Sequence, residues 1–123
     1  MPKILVIDDD DQMREVIVAM LDRAGFEVLE AADGKQGLRL CEKTAVDLVI
    51  TDIIMPEMEG LEVIMGLKKK FPGMRIIAIS GGARLQPQDY LHLAATLGAD
   101  RTFTKPFERQ ELLMAVNDLL GRT

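Results

Sequence analysis

Asp8-Asp9-Asp10-Asp11 directly follows the apolar run Ile4-Leu5-Val6-Ile7, and Asp52 directly follows Leu48-Val49-Ile50-Thr51. An apolar run rich in Val and Ile reads as a strand buried on both faces, hence as part of a parallel sheet. Ligands of open parallel sheets sit at the carboxyl ends of the strands, so both acidic clusters are expected at one mouth. Like charges gathered there repel each other. Mg2+ would relieve that repulsion, since it favours a carboxylate or two together with a phosphate.

Two further strands add to the same mouth. The fourth brings Ser80 and the fifth brings Lys105, so carboxylates from Asp8, Asp9 and Asp52 meet one hydroxyl and one ammonium. Each residue alone has an ordinary structural explanation. Acids after a strand cap the next helix and complement its dipole. A serine before Gly81-Gly82 suits a turn, and Lys105 could be a surface lysine. Those explanations fail jointly, because all five groups point at one place.

The elements that must position them alternate along the chain. Strand signals fall near residues 3–7, 26–30, 47–51, 75–79 and 101–104. Between them lie helical patterns, the clearest being Met13, Val16, Ile17, Met20, Leu21 and Ala24, which follow the i, i+3, i+4, i+7 spacing. Asp10 or Asp11 can cap that helix and Gly25 ends it. A second helix is predicted over 34–43, with Leu38 and Cys41 on one face. A third starts after Pro56, runs through Leu61, Ile64 and Met65 towards Phe71, and stops at Pro72-Gly73. The fourth spans 87–97, entered at Pro87 and closed by Gly98. The fifth spans 108–120, with Leu112, Ala115, Val116 and Leu119 inward and Gly121 after it. Five βα units in succession make a doubly wound α/β domain with right-handed crossovers.

Composition narrows the function classes. The 123 residues suit one domain with a proper core. The chain is 48% hydrophobic and 28% charged, as ordinary globular proteins are. A net charge of −5 argues against direct nucleic-acid binding, which needs a basic footprint. Lys68-Lys69-Lys70 is the only basic run and reads as a solvated helix end. No apolar run reaches the roughly 18 residues that span a bilayer, and the amino-terminal apolar stretch is too short for a signal peptide. A cytoplasmic protein that does not engage membranes is expected. Cys41 stands alone and reads as a small core residue. His92, without metal-spaced partners, reads as a half-buried helix residue. The methionines read as core fillers.

Four motifs on these strands carry a resemblance that covers essentially all 123 residues. They are Ile-Asp-Asp after strand one, Thr51-Asp52-Ile53-Ile54-Met55-Pro56, Ala78-Ile79-Ser80-Gly81 and Thr104-Lys105-Pro106-Phe107. Together they resemble the receiver domain of bacterial two-component response regulators. The resemblance implies a single receiver domain over 1–123, with flavodoxin-like strand order 2-1-3-4-5 and helices on both faces. It also implies a phospho-accepting signalling switch and not a metabolic enzyme; a stand-alone single-domain receiver is expected, with a piece of a longer protein as the alternative. Asp52 resembles the family's phospho-acceptor, supplied by a histidine kinase or a histidine phosphotransfer protein. Asp8 and Asp9 resemble the acidic pair that holds Mg2+ with Asp52 and the backbone carbonyl of Ile54. Ser80 resembles the hydroxyl that bonds a phosphoryl oxygen, and Lys105 the cation that pairs with another. The Lys105–Pro106 bond is expected to be cis. A monomer or a phosphorylation-dependent dimer is implied, acting on an unidentified downstream protein. The implied docking face is the fourth helix, fifth strand and fifth helix, with Arg84, Tyr90, His92, Arg101 and Arg109 as exposed candidates.

The chain departs from the family pattern at three places. Thr102 stands at the switch position where an aromatic residue or histidine is usual, and Phe103 belongs to the other face of the strand, in the core. A response through the glycine-rich loop after Ser80 is the expected substitute. Ile54 stands two residues after Asp52, where a bulky apolar group should hinder an attacking water and prolong the phosphorylated state relative to Ile54→Asn. Glu59-Gly60 replaces the usual Asp-Gly.

Three other readings share parts of this pattern. A degenerate receiver would keep the fold as a protein scaffold, although all five site residues are present. A haloacid-dehalogenase-like phosphatase would use Asp8 as nucleophile in an Asp-x-Asp opening, but no acidic pair follows Lys105 on a further strand. A flavodoxin-like flavin binder needs a phosphate loop after strand one, where four aspartates would repel the phosphate, and 4% aromatic residues offer little to sandwich a flavin.

Overall fold

The computed structural model describes residues 2–53, 60–81 and 87–121. Strands and helices alternate: β1 (Lys3–Ile7), α1 (Asp11–Arg23), β2 (Glu27–Ala31), α2 (Gly34–Lys43), β3 (Leu48–Asp52), α3 (Gly60–Lys70), β4 (Arg75–Gly81), α4 (Pro87–Leu97), β5 (Arg101–Lys105) and α5 (Arg109–Leu119). Every neighbouring pair of strands is parallel, in the order β2-β1-β3-β4-β5. That is the doubly wound order expected. Its winding reverses between β1 and β3, and a crevice opens beyond the carboxyl ends of those two strands. The register sets Ile7 beside Thr51. Asp8 and Asp52, the next residues, therefore emerge side by side.

Alternation along the strands feeds two cores, one on each face of the sheet. Ile4, Val6, Ile50, Ile77 and Ile79 face one layer, where Ile17 and Leu21 of α1 meet Leu112, Val116 and Leu119 of α5. Leu5, Ile7, Val49, Ile76 and Ala78 face the other, against Cys41 of α2, Val63, Ile64 and Leu67 of α3, and Ala94 of α4. Each Val, Leu or Ile side chain among them, fully buried, stabilises the fold by about 1.5–3 kcal/mol relative to exposure. Phe103 packs against the first of these cores. The face it occupies is the one the sequence assigned it.

Several expectations need correction. Val16 is 60% exposed, because it lies about 100° round α1 from Ile17, on the flank of the buried stripe. Ala24 is exposed as well, since it caps the helix beyond its last turn. Of the methionines, Met20 and Met74 are buried, but Met65 and Met114 are more than half exposed and fill no core. His92 is exposed and not half-buried. Lys68 is only partly solvated: its ammonium donates to the carbonyl of Met74 at 2.8 Å, and its stem lies against Gly98. Lys70 pairs with Glu42 at 2.6 Å on the surface. The start of the third helix after Pro56 lies outside the described residues.

Candidate functional site

Strands β3 and β5 end on Asp52 and Lys105 and β4 runs one residue past Ser80, so all three are residues of the strand ends and not of loops. Parallel pairing thus fixes their backbones before any side-chain contact forms. Asp52 sits in register with Ile79, Ser80 with Thr104, and Gly81 with Lys105. The Thr51 hydroxyl donates to the carbonyl of Asp52 at 2.9 Å. Gly60, which opens α3, lies against the backbone at the end of β3. A Cβ on Gly60 would collide with the carbonyl of Asp52 and the Cα of Ile53. Only glycine lets α3 start this close to the strand end.

The four consecutive aspartates have four different surroundings. Asp8 is buried; its Oδ1 accepts from the amide of Asp10 at 2.9 Å. Asp9 is exposed. Asp10 is the N-cap of α1 and accepts from the amides of Gln12 and Met13. Asp11 pairs with Arg14 at 2.7 Å. The same run of residues therefore supplies a buried carboxylate, an exposed one, a helix cap and a surface ion pair.

Lys105 joins the two strand-end carboxylates. Its ammonium lies 3.1 Å from Oδ2 of Asp52 and 3.2 Å from Oδ2 of Asp8. Burial works against the charged lysine, but the negative charges of Asp52 and Asp8 outweigh it and raise its pKa above the ordinary value. Ser80 is fully buried, and among the described residues its hydroxyl has no hydrogen-bond partner. A buried hydroxyl left unpaired costs about 1–3 kcal/mol. Such a group is informative, because stability alone would favour alanine there. The Lys105–Pro106 peptide is cis. Thr102 is exposed on β5.

Carboxylate oxygens of Asp8, Asp9 and Asp52 all lie within 4.8 Å of one another. An octahedral Mg2+ with oxygens at about 2.1 Å spreads its ligands over about 3–4.2 Å, so these groups fit that cation with small adjustment. The donor set is all hard oxygen, which suits Mg2+ and not a softer metal. The Ile54 carbonyl lies outside the described residues. So do Arg84 and the glycine-rich loop after Gly81, while His92, Arg101 and Arg109 are exposed.

The sequence pattern does not single out Arg14. It occupies the first turn of α1 and donates to the carbonyl of Asp8 at 2.7 Å. A signal for it exists: an arginine three residues after an aspartate, one turn into a helix that opens on an acidic run.

Known proteins agree with this geometry. The family model for the response regulator receiver domain matches residues 4–117. The DNA-binding dual master transcriptional regulator RpaA of Synechocystis sp. is 35% identical over all 123 residues, which cover 51% of that protein. The transcriptional regulatory protein CpxR of Klebsiella pneumoniae is 34% identical, again over the whole chain and 51% of its own length. The chain thus spans about half the length of these relatives. Among solved structures, a response regulator receiver domain protein from Clostridium thermocellum superposes with a TM-score of 0.91 at 34% identity, covering 98% of this chain and 95% of the other. TrrA of Thermotoga maritima, solved in complex with Mg2+ and BeF, gives 0.85 at 34% identity, covering 97% and 99%. The sheet order, the acidic mouth and these matches lead to one conclusion: the chain belongs to the receiver domain family of two-component response regulators.

Proposed function

We propose that residues 1–123 act as one receiver domain that is phosphorylated on Asp52. The observation that carries this is the Lys105 bridge to Asp52 and Asp8, beside a buried hydroxyl at Ser80 that has no partner among the described residues. In the proposed step, Oδ of Asp52 attacks the phosphorus of a phosphohistidine. The phosphorus–nitrogen bond breaks, and the imidazole leaves as an aspartyl phosphate forms. Hydrolysis reverses the state: water attacks phosphorus and inorganic phosphate leaves, restoring the carboxylate.

Phosphoryl transfer is catalysed mainly by positioning and charge neutralisation. The proposed metal ligands are Asp8, Asp9, Asp52 and the carbonyl of Ile54. A bound Mg2+ would supply positive charge opposite the phosphoryl oxygens. Lys105 supplies a second positive charge beside Asp52 and, once Asp52 is modified, can pair with a phosphoryl oxygen. Ser80 can donate its hydroxyl to another. These two new bonds are charge-assisted and favour the phosphorylated conformation, shifting an existing equilibrium.

The proposed donor is a histidine kinase or a phosphotransfer protein, and the output passes to a downstream protein. Among the described residues no helix is long and apolar enough to cross a membrane. With Thr102 at the usual aromatic position, the exposed residues of α4, β5 and α5 and the loop after Gly81 are the proposed route of the response.

The test is intact-protein mass after incubation with a small-molecule phosphodonor and Mg2+. One added phosphoryl group on the wild type, absent from Asp52→Ala and from chelator-treated samples, is the expected result. Label persisting in Asp52→Ala would move the chemistry to Asp8. No label on the wild type would leave a scaffold.

A further inference from the structure

Arg14 makes three directed contacts with one guanidinium. Nη1 donates to the backbone carbonyl of Asp8 at 2.7 Å. Nε meets Oε1 of Glu30 at 2.9 Å, and Nη2 meets Oδ1 of Asp11 at 2.7 Å. The arginine side chain is 14% exposed, whereas those of Asp11 and Glu30 are 76% and 51% exposed. Ion pairs to such exposed carboxylates are worth little by themselves. They hold the guanidinium plane, however, and a fixed plane aims an N–H of Nη1 at one carbonyl.

That carbonyl belongs to the peptide unit between Asp8 and Asp9. The unit is planar, so fixing its oxygen fixes the backbone on both sides of it. Asp8 is held on its amino side too, where its amide donates to the carbonyl of Ala31 at 3.2 Å. The two carboxylates that extend from this peptide lie in the cluster with Asp52. We propose that Arg14 is a positioning residue for the metal-binding acidic pair, locking the Asp8–Asp9 peptide so that both carboxylates face one cation. The proposal rests on the metal-dependent reading of the site given above.

Charge alone predicts the opposite sign. A cation beside a cation site repels the metal, so neutralising Arg14 should tighten binding if its charge were all that mattered. Positioning predicts weaker binding. Groups that orient metal ligands typically cost 10–100-fold in affinity when lost.

The experiment is titration of Mn2+, followed by its electron paramagnetic resonance signal, into wild type, Arg14→Met, Arg14→Lys and Glu30→Gln. Metal-free melting of each variant is recorded beside it. We expect about tenfold weaker binding for Arg14→Met and a loss of similar size for Arg14→Lys, which keeps the charge but not the fork. Glu30→Gln should lose less. The half-saturating Mg2+ for phosphorylation should rise in both arginine variants, with the rate at saturating Mg2+ little changed. Unchanged or tighter Mn2+ binding in folded Arg14→Met, or wild-type affinity in Arg14→Lys, overturns the proposal and leaves the site reading intact. If Arg14→Met does not fold without metal, Arg14→Lys decides alone. A wild type that binds no Mn2+ overturns both.

Discussion

The ammonium of Lys105 stands 3.1 Å from the carboxylate of Asp52, an ion pair that ties the end of β5 to the end of β3. Strand β4 lies between them in the sheet, so the lysine reaches across its carboxyl end. The same ammonium is 3.2 Å from Asp8, which leaves one cation shared by two buried carboxylates. Lys105 thus sets a positive charge between the carboxylates of Asp8 and Asp52.

Replacing the lysine should therefore expose a dependence on metal. Lys105→Met removes the cation that the buried carboxylates of Asp8 and Asp52 share, a loss on the order of 3 kcal/mol. A cation binding only the folded state restores stability by linkage, about 2.7 kcal/mol at a hundred times its dissociation constant. Thermal melts in chelator should show a large deficit for the variant, and melts in excess Mg2+ a much smaller one. An equal deficit in both buffers would mean that Lys105 does not occupy the role described.

Alkaline pH separates two groups, the part-buried Lys105 and the buried Cys41. The Lys105 pKa is raised, so its stabilisation is present below the ordinary lysine value of 10.5 and is lost as pH rises through the higher folded value. The difference in unfolding free energy between wild type and Lys105→Met should be flat from neutrality to about pH 10 and close above it. Burial pushes the Cys41 thiol up to about 11 from 9.0, so the fold keeps it neutral while the unfolded chain loses the proton. Stability should fall by up to about 1.4 kcal/mol per pH unit across that interval from this group alone. Cys41→Ala should remove that slope. A slope unchanged in the alanine variant would show that Cys41 is not the group responsible.

Gly60 sets how closely α3 approaches the acceptor strand. A methyl group there meets the backbone of Asp52 and Ile53, which cannot move aside as a flexible side chain would. Gly60→Ala should cost about 1–3 kcal/mol or more in urea unfolding. It should also slow phosphorylation, because the strain is applied at Asp52 itself. An alanine variant with wild-type midpoint and rate would place the start of α3 farther from the strand than described.

How much of this is legible in the sequence follows from what each residue depends on. Asp8, Asp52, Ser80 and Lys105 can be placed together from strand signals alone, because parallel strands deliver their carboxyl ends to one edge. The sheet order needs the family resemblance, since no local pattern encodes which strands pair. The division of labour among Asp8, Asp9, Asp10 and Asp11 is hidden for the same reason: four identical residues differ only in what folds around them. The i, i+3 spacing shows the Arg14–Asp11 pair, but the contact that ties Arg14 to the site is hidden because it is made to a backbone carbonyl, which has no residue type. Met65 and Met114 mislead because periodicity marks a helix face as apolar without saying whether anything covers it.

Ser80 offers the sharpest separation of stability from signalling. Its hydroxyl is buried and has no partner among the described residues, so Ser80→Ala removes an unpaired polar group and fills nearly the same space. The unphosphorylated variant should melt at the wild-type temperature or above it. The same hydroxyl is the proposed donor to a phosphoryl oxygen, a bond that only the modified protein can form. With Mg2+ and beryllofluoride as a stand-in for the phosphoryl group, the wild type should gain stability and the alanine variant should gain distinctly less. A hydrogen bond to a charged acceptor is worth about 1.5–3 kcal/mol, so the gap is measurable by calorimetry. If Ser80→Ala instead melts lower than wild type and gains as much from beryllofluoride, the hydroxyl serves the resting fold and the proposed switch does not pass through it.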